Sequence, residues 1–171
     1  RIIFNRPDKV IEAMRAISQY APDRLYISAD GPRDGNVGDA ERCEIARKAA
    51  LEHVTWECEI ITRFLTENIG CGPGPSTATT WFFEHEEMGI VMEDDCIPNK
   101  SFFNYSESLL YAFGNRQDVF MVNGINYFES VSPDGKPYFL SRVTQTPCFG
   151  TWRRAWRHFS FHIDDDDQTI R

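Results

Sequence analysis

The chain has no excess of positive charge. Its 171 residues carry 18 Lys and Arg against 26 Asp and Glu, a formal charge of -8. Nucleic-acid binding wants Lys and Arg clustered over one face, so that class is excluded as a general function. It also lacks any apolar run near the roughly 20 residues that cross a bilayer, so no transmembrane segment is expected. The five cysteines are odd in number and show no CxxC pairing, which indicates neither a disulfide framework nor a zinc site. A reducing, cytoplasmic setting is the simpler expectation, at most along the inner face of a membrane. No internal repeat is visible. Neither an initiator Met nor a signal peptide opens the sequence, and "DDDDQTIR" closes it without a structural element. We therefore expect one domain over 1–171, truncated at one or both ends. A hydrophobic fraction of 42% is enough for one core.

Strand and helix patterns alternate along the chain. Ile2 to Phe4 predict a strand, closed by Asn5 and Pro7. Asp8 is placed to cap a helix carrying Val10, Met14 and Ile17 at helical spacing. Leu25 to Ile27 predict a second strand running into Ser28, Asp30 and Gly31. A helix is expected from Ala40 to about His53, capped by Asp39, with Ile45, Ala46 and Ala49 inward. "HVTWECE" reads as a third strand. "GCGPGPS" reads as a loop, after which Ser76 caps a helix bearing Ala78, Trp81 and Phe82. "GIVM" predicts a strand, Ser101 to Phe113 a helix, and "VFMVNG" another strand. A hairpin is expected around Pro133, Asp134 and Gly135, and "TWRRAWRHF" reads as a short helix. This order predicts an α/β fold with a mostly parallel sheet flanked by helices, because parallel neighbours need helical crossovers.

The strand "GIVM" runs directly into Glu93, Asp94 and Asp95. Ligands in open α/β sheets sit beyond the carboxyl ends of strands, which is where this triplet falls. Three adjacent carboxylates repel one another, at a cost beside a buried strand unless a cation is near. Mg²⁺ or Mn²⁺ would relieve that cost with one or two protein carboxylates, its remaining positions going to water and phosphate oxygens. An acidic protein could hold a diphosphate in this way. The bland reading is a solvated turn; the apolar flanks "IVM" and "CIP" favour the functional one. EF-hand spacing is absent.

With "FNRP", "SADGPR", "GIVMEDDCIPNKSFF" and "FGTWRRAW" in this order, the chain resembles the GT-A-fold glycosyltransferases, Rossmann-like enzymes that use nucleotide-diphospho-sugars. More narrowly it resembles a bacterial group of hemolysin-like glycosyltransferases, and more distantly the N-acetylglucosaminyltransferase that initiates complex N-glycans, which also carries "EDD". The likeness spans roughly residues 1–160. It implies a DxD-type motif in which Asp95 binds Mn²⁺ or Mg²⁺, Asp94 meets ribose or sugar hydroxyls, and Glu93 meets the donor sugar. It implies nucleotide contacts by Arg6 and Asp30, and a preference for uridine. Alone, Arg6 reads equally as a helix-start ion pair and Asp30 as a turn-forming residue. Gly150 and Trp152 would form an acceptor-side wall; Trp152 and Trp156 read equally as core. His162 is a weak candidate for a late metal ligand. The resemblance implies an inverting transfer from a nucleoside diphosphate sugar to a glycan, lipid-linked or protein acceptor. The family's carboxylate base lies later than this chain reaches, and Asp164, Asp165, Asp166 and Asp167 are weak candidates for that role. "GCGPGPS" is richer in Gly and Pro than the family's loop. Two other readings stay open: a metal-dependent nucleotidyl- or phosphoryl-transfer enzyme, and a nucleotide-sugar-binding module without catalysis.

Overall fold

The computed structural model describes residues 1–125 and 136–161. A short first strand, β1 (Ile2–Ile3), leads into α1 (Pro7–Tyr20). Pro7 takes the first helical position, where its missing N–H costs nothing. Arg6 occupies the cap position and Asp8 lies inside the first turn, so Asp8 acts on the helix dipole and not as the cap. Val10, Ala13, Met14 and Ile17 form the buried stripe. The helix stops at Ala21, whose left-handed backbone (φ 54°) turns the chain just before Pro22.

β2 (Arg24–Ala29) follows, buried from Leu25 onward as suits a parallel strand covered on both faces. α2 (Asp39–Glu52) starts after Gly38, not after a capping Asp39. Its inner face is Cys43, Ala46, Ala49 and Ala50, and Ile45 points outward at 47% exposure. β3 (Glu59–Phe64) lies later than expected: "HVTWECE" is mostly connection, with the Trp56 indole donating to the Pro22 carbonyl at 2.9 Å. β1, β2 and β3 form a parallel sheet in that order, with Ile2 opposite Ser28 and Leu25 opposite Ile60.

α3 (Pro73–His85) begins inside the stretch expected as loop. Gly72 precedes it and Pro73 sits at its start, a place proline favours. Ser76 is a first-turn residue whose hydroxyl donates back to the Gly72 carbonyl at 3.0 Å. β4 (Met88–Met92) and α4 (Lys100–Ala112) come next, the helix capped by Asn99, which accepts from the Phe102 N–H at 3.0 Å. β5 (Met121–Asn123) and β6 (Cys148–Trp152) complete a second three-stranded sheet, with β6 central and antiparallel to both β4 and β5. Thr151 and Trp152, expected to begin a helix, instead close a strand "CFGTW" with all five residues buried, and only α5 (Arg153–Trp156) is helical. The protein is α/β, with one parallel and one antiparallel sheet in place of one mostly parallel sheet. The hairpin expected at Pro133 to Gly135 lies outside the described residues.

The main core joins the two sheets, bringing Ile3, Ile27 and Met14 together with Met92, Phe103 and Cys148. At roughly 1.5–3 kcal/mol for each large buried side chain, this shared core dominates the folding energy. A smaller cluster of Leu110, Val119, Val122, Trp152 and Ala155 lies under α4.

Candidate functional site

The carboxyl ends of β1 and β4 meet through a salt bridge: Arg6 Nη2 lies 2.9 Å from Asp94 Oδ1. Arg6 follows β1 because Pro7 starts the helix there. Asp94 follows β4 because Glu93 and Cys96 close a turn, the Cys96 N–H donating to the Glu93 carbonyl at 3.1 Å. The turn is tied to the start of β6, since the Pro147 carbonyl accepts from the Glu93 N–H at 3.2 Å and from the Cys96 thiol at 2.7 Å. A residue the sequence patterns did not single out braces it from the other side. The Arg1 guanidinium donates to the Glu93 carbonyl and, at 3.2 Å, to the Cys96 carbonyl. No pattern signals a role for Arg1, because it depends on a contact across 92 residues.

Charge within this turn is only partly balanced. Arg1 and Arg6 supply two guanidinium groups against three carboxylates, which answers part of the repulsion without a metal. Desolvation pushes the Glu93 carboxyl above its usual range, helped by Asp95 and Asp94. Desolvation also raises Asp94, with Arg6 pulling the other way. Asp94 Oδ2 is buried and has no hydrogen-bond partner among the described residues. Asp95 is exposed. Among the described residues no three His, Cys, Asp or Glu side chains converge into a metal cage. The donor set still fits a Mg²⁺- or Mn²⁺-type ion of the kind that takes one or two carboxylates and fills its shell with water and phosphate oxygens. Asp95 is the exposed carboxylate of the three, and the orphaned Asp94 oxygen marks the turn as short of positive partners.

Asp30 ends β2, and its carboxylate is occupied by backbone. Oδ1 accepts from the Gly31 and Ile69 N–H groups at 2.9 and 3.0 Å, and Oδ2 accepts from Gly70 at 3.2 Å. A nucleotide contact by Asp30 would have to share oxygens that already pin the 67–70 loop. Gly31 allows that loop to cross: a Cβ there would sit 2.4 Å from the Glu67 backbone. Arg47 holds the same crossing by donating to the Asp30 and Leu65 carbonyls at 3.1 and 2.6 Å.

The motifs "FNRP" and "DGPR" are joined by a residue expected only as a cap. Buried Asp39 accepts from Asn5 at 2.8 Å and from Arg33 at 2.6 and 3.0 Å. Those bonds, Arg33 first, hold its carboxyl down at about 2.

The expected acceptor wall is packed away. Trp152 is 3% exposed, its indole N–H donates to the Leu110 carbonyl at 3.0 Å, and the Arg154 guanidinium covers its ring at 4.3 Å. A Cβ on Gly150 would lie 3.2 Å from Leu110, so this glycine serves the close approach of α4. Trp152 takes the core reading, and neither residue offers a face to a sugar. His162 and Asp164 to Asp167 lie outside the described residues. Among the described residues no helix is long and apolar enough to cross a membrane.

Comparison with protein-family models, curated proteins and solved structures returned no match for the chain. The residues themselves therefore carry the functional argument.

Proposed function

We propose that the protein is a metal-dependent glycosyltransferase of GT-A type that moves a sugar from a nucleoside diphosphate sugar, in the first instance a UDP-sugar, to an acceptor hydroxyl with inversion. One observation carries the reading: an acidic turn at the end of β4, half-buried, with raised carboxyls and an orphaned Asp94 oxygen, faces a half-exposed arginine from the end of β1. Strand ends of this kind are where α/β sheets take phosphorylated ligands. A bound Mg²⁺ or Mn²⁺ would supply Lewis-acid stabilisation of the departing diphosphate.

The chain's own residues do the rest. Asp95, exposed on the turn, is the ligand for the ion. Arg6 presents a planar fork suited to phosphate oxygens, and its pairing with Asp94 holds that fork beside the turn. Glu93 and Asp94 accept hydrogen bonds from donor hydroxyls. Arg1 and Pro147 keep the turn from spreading when its charges ionise. Asp30 contributes by fixing the adjoining loop, and Asp39 by fixing Asn5 and Arg33 behind Arg6. The engagement of Asp30 with three backbone N–H groups weighs against phosphoryl transfer through two metals, which wants a second free carboxylate at a neighbouring strand end.

The test is UDP release from a panel of UDP-sugars with Mn²⁺, with chelator, and with Asp95→Asn. Metal-dependent release that falls at least tenfold in the variant supports the reading. Release indifferent to both metal and variant overturns it.

A further inference from the structure

β3 is the outer strand of the parallel sheet, paired with β2 on one side and, among the described residues, with no strand on the other. The alternation of the ladder fixes which of its backbone groups face each way. The Glu59 N–H donates to the Asp23 carbonyl at 2.8 Å and the Leu65 N–H to the Ala29 carbonyl at 2.9 Å, so the odd-numbered residues turn their backbone toward β2. The N–H and C=O groups of Ile60, Thr62 and Phe64 therefore point outward. An open edge of this kind is a template for another strand, and natural sheets blunt it with proline, lysine, a bulge or a covering segment. β3 carries neither proline nor lysine, and it keeps unbroken register with β2 from Glu59 to Phe64.

Access differs along the edge. Glu59, Ile60 and Thr62 are exposed, whereas Phe64 is half-buried, with the Arg47 guanidinium 5.2 Å from its ring centre. The β-branched run Ile60, Ile61 and Thr62 suits an extended strand. Glu59, Ile61 and Arg63 share one face of it, and the fold leaves both charges without an opposite one. Among the described residues Glu59 makes no ion pair, and the Arg63 guanidinium hydrogen-bonds only hydroxyls, those of Ser28 and Thr77, at 3.3 Å each. Charges on an edge repel strands that set like against like. Here the two are of opposite sign and evenly placed about Ile61, so an antiparallel second copy brings each onto its opposite.

We infer that β3 is a homodimer interface, in which the β3 edges of two copies pair antiparallel about a two-fold axis through Ile61. Ile60 and Thr62 of one copy then stand opposite Thr62 and Ile60 of the other, each pair exchanging both backbone hydrogen bonds. Ile61 faces its own counterpart. Glu59 faces Arg63 in both directions, at the close, non-hydrogen-bonded positions where side chains meet, and a carboxylate is a stronger acceptor for Arg63 than the two hydroxyls. A register centred on Thr62 would need the backbone of Phe64, at the covered end of the edge, and would set Arg63 against Ile61. Exposure and charge thus select the same register. A two-fold pair consumes both β3 edges, so it closes at two copies instead of growing into a filament. β1 lies at the opposite edge of the parallel sheet, so the acidic turn that Arg6 contacts stays clear of the interface.

Sedimentation equilibrium over a concentration series tests this on the wild-type protein, Glu59→Arg, Arg63→Glu, the double variant, an equal mixture of the two single variants, and Thr62→Pro, with circular dichroism to check the fold of each. Proline at 62 removes an outward N–H and no bond to β2. Wild type is expected at about twice the chain mass. Each single reversal sets like charges together at both ends and should raise the dimer dissociation constant at least tenfold, as should Thr62→Pro. The double variant and the mixture both restore opposite pairs and should recover the dimer. A wild type that stays monomeric at millimolar concentration overturns the inference, and so does a dimer whose constant is unchanged in the folded variants, because another face then holds it. Two folded single variants whose mixture stays monomeric overturn it as well, since the antiparallel register requires that mixture to pair. If a single reversal does not fold, an unchanged constant in Thr62→Pro still overturns the inference.

Discussion

The carboxylates at the end of β2 and the start of α2 and those at the end of β4 stand in opposite states. Asp30 and Asp39 are each satisfied from within the protein, by three backbone N–H groups in one case and by Asn5 and Arg33 in the other. Glu93 and Asp94 are pushed upward by burial and mutual repulsion, and one Asp94 oxygen has no partner among the described residues. Satisfied carboxylates build the frame; the under-satisfied ones are those to which the proposed function assigns a cation. The contrast separates acids the fold satisfies from acids it leaves short of partners where composition cannot, since all are Asp or Glu near a strand end or helix start.

The largest effect expected from breaking the frame is at Gly31. Gly31→Ala drives a Cβ into the Glu67 backbone and should destabilise by about 2–4 kcal/mol, seen as a lower denaturation midpoint. Next comes Asp30→Ala, which strands the Ile69 and Gly70 N–H groups, leaves Gly31 its longer bond to the Glu67 carbonyl, and should cost about 1–3 kcal/mol. Its signature is faster hydrogen exchange at Ile69 and Gly70, with α4 unaffected.

The two classes of acid also predict opposite pH behaviour. Asp39 has a folded pKa of about 2 against an ordinary 3.8, so its stabilisation is present above pH 4 and is lost as pH falls toward 2. The stability gap between wild type and Asp39→Asn should therefore close over that window in acid titrations followed by circular dichroism. Glu93 is raised, so its ionised form opposes folding, and stability from this group declines as pH rises through its folded pKa. Glu93→Gln should raise Tm slightly at pH 7 and flatten that decline, the smallest of these effects. A lower Tm in the variant would contradict the account of strain in the turn.

Much of the frame is visible in the amino-acid pattern. α1 and α4 show apolar residues at helical spacing, and β2 and β4 are short apolar runs ending in polar turns. β6 is hidden because Trp152 and Trp156 are four apart, which mimics a helix face; its strand state comes from pairing on both sides, with β4 and β5. The start of α3 is hidden because proline and glycine usually break helices, and here Pro73 begins one. Of the site, the acidic turn and Arg6 are visible as strand-end residues. The brace by Arg1 and the work of Asp39 depend on contacts between distant segments, which local patterns do not encode.

The proposed function requires that the turn of Glu93, Asp94 and Asp95 hold a divalent ion together with a diphosphate. Calorimetric titration of UDP into the protein with Mn²⁺, without metal, and into Asp95→Asn tests it most directly. The account predicts binding that requires Mn²⁺ and disappears in the variant. Equal binding in all three, or none in a protein whose circular dichroism shows it folded, would contradict it.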